Sequence, residues 1–428
     1  MAELPRSLVR RRRIRPTLRG LVVALAGVAA IVVGLQAHLP EFVPFGVGAI
    51  LLVALGAALV ALRPPRLDVR RATQPSPAVA GRPLRVQLVI RNRARRPSPG
   101  IRWNDALPWR IAAEPRELAP LPGGPGRVAE TAVEYVVTPP RRGHFPLGPL
   151  VVEYGDPFGM VRAVTAIGEA ERVVVVPAVA AVGEGGPSLD QGDGLAQLTL
   201  HRATDNEDDL TTREYRPGDA LRRVHWRVTA RQGELMVRQE EARSDPDARL
   251  LLDTREAGYR DLEPDRFETW EPTAHSESFE WVVRMAASLA AHLDDQGFRV
   301  AIEETGSPQL PAGRGARERG LVSGAFLRAL AGLRLLPGGL ERAAVGDPPR
   351  GPLFALLGEP RSETVEWLIS RRDRRDTGVA FLAGASEVAA RRLQAAGWAV
   401  VRVGWADQNP AQAWREAEAA VRRMHERP

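Results

Sequence analysis

Two apolar runs near the amino terminus constrain this chain more than any other feature. Residues 20–37 (GLVVALAGVAAIVVGLQA) and 43–62 (VPFGVGAILLVALGAALVAL) contain no charged side chain. At about 1.5 Å of rise per residue, each helix would extend roughly 27–30 Å, the thickness of a bilayer's hydrocarbon core. The link from His38 to Phe42 permits only a tight hairpin. Arginine flanks both outer ends, with Arg6, Arg10, Arg11, Arg12, Arg13, Arg15 and Arg19 before the first run and Arg63, Arg66, Arg70 and Arg71 after the second. The link's only formal charge is Glu41. Positive flanks stay on the cytosolic side, so both termini and the remaining chain are expected in the cytosol, on a multi-pass anchor in the inner (plasma) membrane. A cleaved signal peptide is the competing reading. The first run is long for one, the small-x-small site near Ala37 is weak, and the second run would still need a membrane.

The charge balance follows from this anchor. Of the net charge of +7, six units lie in residues 1–19, a basic tail with Glu3 as its only acid. The body is thus nearly neutral, and no nucleic-acid partner is expected. Acidic lipid or nucleic acid could bind the tail, but arginines before a membrane helix already have a topological role. All 59 basic residues are arginine and there is no cysteine. These absences exclude a P-loop or kinase lysine, a Schiff base, a thiol nucleophile, a disulfide framework and Cys-based metal sites.

Beyond the hairpin the patterning changes twice. Residues 63–182 read as short strands between Pro/Gly turns, including the period-two run Leu84–Ile90 and the β-branched runs Val133–Val137 and Val173–Val176. This predicts an all-β, Ig-like sandwich. Residues 183–210 read as a linker and 211–248 as an Arg-rich segment. From 249 to 428 strands alternate with helices. The strands are expected at Arg249–Asp253, Phe298–Ile302, Leu353–Leu357, Val379–Leu382 and Ala399–Val403. The helices are expected at Ser276–Leu293, near Leu321–Leu333 and Thr364–Ile369, and at Glu387–Ala396 and Ala411–Met424. Such alternation predicts a doubly wound, mainly parallel α/β sheet, with Asp253 at the carboxyl end of its first strand.

The segment Arg213–Arg238 is the densest in candidate chemistry. Pro217–Gly218 forms a turn, Asp219 suits an N-cap and Ala220–Arg231 suits a short helix. Arg222 or Arg223 with Arg227 and Arg231 could bind carboxylate or phosphate in bidentate fashion. Equally, Glu214 and Asp219 could pair with those arginines while Trp226 fills core, and both readings stay open. The seven histidines form no metal-binding pair, and the acidic run Asp205–Asp209 lacks the glycine and final glutamate of a calcium loop.

The string Arg213, Tyr215, Gly218, Asp219, Arg222, Trp226, Ala230 and Arg231 resembles the signature of family 58 of the domains of unknown function. Arg142–Gly143, Leu147–Gly148–Pro149 and Asp156–Pro157–Phe158–Gly159 resemble the sandwich part of the same proteins. The resemblance implies a membrane-anchored bacterial protein associated with a MoxR-type AAA+ ATPase, and a von Willebrand factor A-like C-terminal domain. An A-type metal site needs Asp-x-Ser-x-Ser, whereas this chain has Asp253-Thr254-Arg255-Glu256-Ala257. With Arg255 and Ala257 at the serine positions, no metal and no other cofactor is expected. The sequence expectation is a non-enzymatic scaffold with a cytosolic docking surface around Arg213–Arg231. A hydrolase using Asp253 or Asp219 with His225 is the alternative.

Overall fold

The computed structural model describes residues 12–109, 115–123, 130–183, 212–214, 229–230, 233–234, 236–238, 247–267, 274–310, 324–341, 351–373, 376–384, 386–404 and 408–425. The chain divides into two compact units, Met1–Val176 with Asp265–Pro272, and Pro177–Pro264 with Thr273–Pro428.

In the first unit the apolar runs form helices α1 (Leu18–Gln36) and α2 (Phe42–Leu62). Both are long and apolar enough to cross a membrane. Helix α1 starts two residues earlier than expected because Thr17 caps it: Thr17 Oγ1 accepts from Gly20 N at 3.1 Å and donates to Gly159 O at 2.6 Å. Gly20, Gly27 and Gly34, seven apart, are the buried residues of α1, while its leucines and all its valines but Val23 are exposed. A Cβ on Gly27 would meet Gly46 O of α2 at 2.9 Å, so the missing side chains let the two backbones approach.

The basic tail is not wholly a tail. Arg13–Pro16 form strand β1, which pairs antiparallel with β10 (Val161–Ile167), Arg13 opposite Val164. The segment contains one isoleucine among arginines and a proline, so no period-two pattern marks it as a strand. Tertiary pairing alone makes it one.

The all-β expectation for the next segment holds. Three sheets enclose one core: β1–β10–β9–β5–β6, β2–β4–β7 and β3–β11–β8. Their remaining members are β2 (Leu67–Gln74), β3 (Ala78–Val79), β4 (Leu84–Asn92), β5 (Ile101–Asp105), β6 (Arg116–Leu118), β7 (Glu130–Val137), β8 (Gly143–Leu147), β9 (Leu150–Gly155) and β11 (Glu171–Val176). Strand β4 shows the cause. Leu84, Val86, Leu88 and Ile90 point into the core while Arg85, Gln87 and Arg91 point out. Arg71 is not an exposed flank charge. It lies buried in β2, bidentate to Asp105 at 2.8 and 3.0 Å, and Tyr135 donates its hydroxyl to the same carboxylate at 2.7 Å. Burial, then the Asp105 charge, holds the Tyr135 hydroxyl well above the usual phenol range.

In the second unit β14 (Asp247–Leu252), β17 (Arg299–Glu304), β18 (Leu353–Leu357), β19 (Gly378–Leu382) and β20 (Ala399–Arg402) form an all-parallel sheet ordered β17–β14–β18–β19–β20. The helices are α3 (Glu277–Asp295), α4 (Gly324–Gly332), α5 (Ser362–Arg371), α6 (Glu387–Ala395) and α7 (Pro410–His425). Leu250, Leu252, Phe354 and Phe381 pack with α3, α4 and α7; Leu251, Leu353, Ala355 and Leu382 pack with α5 and α6. Both faces are covered, which is why the strands are continuous apolar runs. Two antiparallel pairs are short: β12 (Thr212–Glu214) with β13 (Met236–Arg238), and β15 (Glu263–Pro264) with β16 (Ala274–His275).

Candidate functional site

Strand β14 lies second in the sheet order; the chain goes from it to the edge strand β17 and then crosses back to β18 on its other side. The order therefore reverses between β14 and β18, the position where open α/β sheets hold ligands beyond the strand ends. Asp253 sits there, directly after β14, and its N–H continues the ladder to Leu356 O at 3.0 Å.

The geometry closes this position. Asp253 and Thr254 are fully buried and Arg255 is 3% exposed. The Arg255 guanidinium turns back onto the carboxylate, with Nε 3.0 Å from Oδ1 and Nη2 3.3 Å from Oδ2. Thr305, just past β17, donates its hydroxyl to Oδ1 at 2.5 Å and accepts from Arg255 Nε at 3.1 Å. Thr364 in α5 accepts from Arg255 Nη2 at 2.8 Å. Above them a 3₁₀ turn, Glu256–Gly258, folds over the carboxylate, and a Cβ on Gly258 would collide with Asp253 Oδ2. Tyr259 donates its hydroxyl to Asp253 O at 2.7 Å, and a Cβ on Gly358 would collide with Gly258 O. Two glycines thus allow the turn to seal the site.

These residues do not fit a divalent cation. Asp253 is the one carboxylate at the centre, and a guanidinium already engages both its oxygens. Among the described residues no three His, Asp or Glu side chains gather as a metal site. A neighbouring carboxylate, Glu304, is pushed above the usual range by burial, although Gln309 and Leu310 donate backbone N–H groups to it.

The Arg-rich segment falls largely outside the described residues. Tyr215, Gly218, Asp219, Arg222, Arg223, His225, Trp226 and Arg231 all lie there. Arg213 is in β12, paired with Val237 of β13. The segment is thus bracketed by an antiparallel pair, and Thr229–Ala230 are helical within it. The sequence did not identify Thr305 or Thr364, because lone threonines after a strand and inside a helix carry no motif.

The described residues thus comprise two apolar helices long enough to cross a membrane, an all-β unit around one core, and a parallel α/β unit with a closed switch point. Residues 211–321 match the model of the family described as "Protein of unknown function DUF58", and the chain carries this family's domain. No curated protein matches the chain. Among solved structures, the chain is 11% identical to a Paenibacillus sp. cycloisomaltooligosaccharide glucanotransferase crystallised with cycloisomaltoheptaose. The alignment covers 78% of this chain and 53% of that one, about half its length, with a TM-score of 0.18 that carries no argument.

Proposed function

We propose that the protein is a membrane-anchored, non-enzymatic scaffold that presents a cytosolic docking surface, with a MoxR-type AAA+ ATPase as its partner. The reading takes the sandwich as Ig-like and the α/β unit as von Willebrand factor A-like; the strand order and covered faces of the parallel sheet support the latter. The observation that carries it is the closed position at Asp253. A carboxylate with 0% exposure, held by Arg255 and Thr305, is poorly placed to act as a nucleophile or base. This disfavours the hydrolase reading at the one of its groups that is described.

The pairing of β1 with β10 supports the anchor's topology. A strand preceding α1 and a sandwich following α2 can share a sheet only on one side of a membrane. Arginine on both flanks makes that side the cytosol. The test is affinity capture of the full chain from solubilised membranes. Recovery of a AAA+ ATPase with the wild-type chain, and its loss with Asp219→Ala or Arg222→Ala, is the expected result. If no ATPase is captured and neither substitution changes the recovered set, the reading fails.

A further inference from the structure

The link between α2 and the sandwich opens into a cavity of about 940 Å³. Its apolar wall is the last turn of α2, with Leu59, Val60 and Leu62. Its polar wall comes from two segments far apart in sequence: the link with Arg63 and Arg66, and the loop after β4 with Arg93, Arg95 and Arg96. The register of β2 and β4 brings them together. Leu67 faces Asn92, and Arg93 N continues the ladder to Arg66 O at 2.8 Å.

The loop is held in shape rather than draped on the surface. Asn92 is buried and accepts from Ala94 N at 2.9 Å while donating to Arg96 O at 2.9 Å. Buried Ser98 accepts from Leu121 N at 2.9 Å. All five arginines are exposed, and none pairs with a carboxylate among the described residues. The lining contains one carboxylate, Asp156, whose two oxygens already accept Phe158 N at 2.8 Å and Val161 N at 2.6 Å.

A second observation points the same way. The Tyr154 hydroxyl, also in the lining, is buried with no hydrogen-bond partner among the described residues. Arg12, outside the lining, lies over its ring at 5.6 Å and caps the end of α2 through Nη1 to Ala61 O at 2.5 Å, its buried Nε and Nη2 having no partner among the described residues. A buried donor without an acceptor costs about 1–3 kcal/mol, and an anionic oxygen beside the Tyr154 hydroxyl would relieve that cost.

We infer that this cavity binds the phosphate of an anionic phospholipid headgroup at the level where α2 leaves the bilayer. The inference rests on the membrane-anchor reading. A lipid phosphate, rather than a soluble one, is favoured because one wall is the apolar end of a helix long enough to span the bilayer. Arginines beside such a helix end recognise phosphate by bidentate hydrogen bonds as well as by charge.

The experiment reconstitutes the full chain in nanodiscs of phosphatidylcholine mixed with phosphatidylglycerol and counts the lipids retained on release by native mass spectrometry. The wild-type chain should retain phosphatidylglycerol selectively. Arg93→Gln/Arg95→Gln/Arg96→Gln should weaken that retention by roughly a hundredfold, while the charge-matched Arg82→Gln/Arg85→Gln/Arg102→Gln should keep it. Equal retention of both lipids, or equal loss in both variants, overturns the inference and leaves the anchor reading intact. Saturable binding of inorganic phosphate in lipid-free micelles, without lipid selectivity, also overturns it in favour of a soluble ligand. A chain that does not enter the discs at all sinks the anchor reading and this inference with it.

Discussion

Removing the Arg255 guanidinium should strand a charge in the interior of the α/β unit. Arg255→Met keeps much of the side chain's apolar volume but deletes both contacts to Asp253 and those to Thr305 and Thr364. The Arg255 and Asp253 side chains are 3% and 0% exposed, so water screens little of the loss. Only the Thr305 hydroxyl at 2.5 Å and the residue 255 backbone N–H at 3.3 Å would remain on the carboxylate. Breaking a buried pair from one side costs about 3–5 kcal/mol. At about 2–4 °C per kcal/mol for a domain of this class, the α/β transition should fall by roughly 6–20 °C. Calorimetry of the full chain in detergent, with near-UV signal from buried Trp281, Trp398 and Trp414, would follow it. The companion Asp253→Asn/Arg255→Met removes both charges and should recover more than half of the loss. A single variant melting within about 2 °C of wild type, or a double variant worse than the single, would refute the description of a sealed ion pair.

Two further outcomes follow from packing and protonation. Adding a Cβ at Gly46 places it 2.5 Å from Gly27 O and 2.6 Å from Ile31 Cγ1. Gly46→Leu should therefore cost about 1–3 kcal/mol by overpacking and Gly46→Ala less, read as lowered melting of the hairpin helices in detergent; unchanged melting would contradict the close approach of α1 and α2. His292 packs edge-on against Trp414 at 5.2 Å, and burial holds its imidazole below the usual histidine range, opposed by the nearby Asp295 charge. Its neutral form is favoured by folding, so its contribution is full above the unfolded value near 6.5 and declines as pH falls through the folded value. The difference in melting temperature between wild type and His292→Gln should shift against wild type between pH 7.5 and 5.5, and a pH-independent difference would contradict the assignment.

Periodicity made the hairpin, the all-β segment and the α/β alternation legible. Uncharged runs, period-two strands and strand–helix alternation are local properties, fixed by which side chains must leave water. The predicted strand Leu353–Leu357 matches residue for residue, and the other α/β elements shift only at their ends. Asp253 was legible for the same reason, as the polar residue ending an apolar strand. Arg255 could be placed beside it because only one residue separates them.

What the sequence left open depended on groups distant in the chain. Strand β1 has no pattern of its own and exists because β10 presents an open edge. The threonines that complete the Asp253 network come from two other elements, at positions 305 and 364. Arg71, counted from sequence as a flanking charge, is buried against Asp105 because the β2–β4 register turns it inward. Arg93, Arg95 and Arg96 meet Arg63 and Arg66 only because antiparallel pairing returns the loop after β4 to the end of α2. Local composition determined which segments form long apolar helices, which form strands and which alternate strand with helix. Tertiary pairing decided which arginines neutralise a buried acid and which gather, with no carboxylate partner among the described residues, at the end of α2.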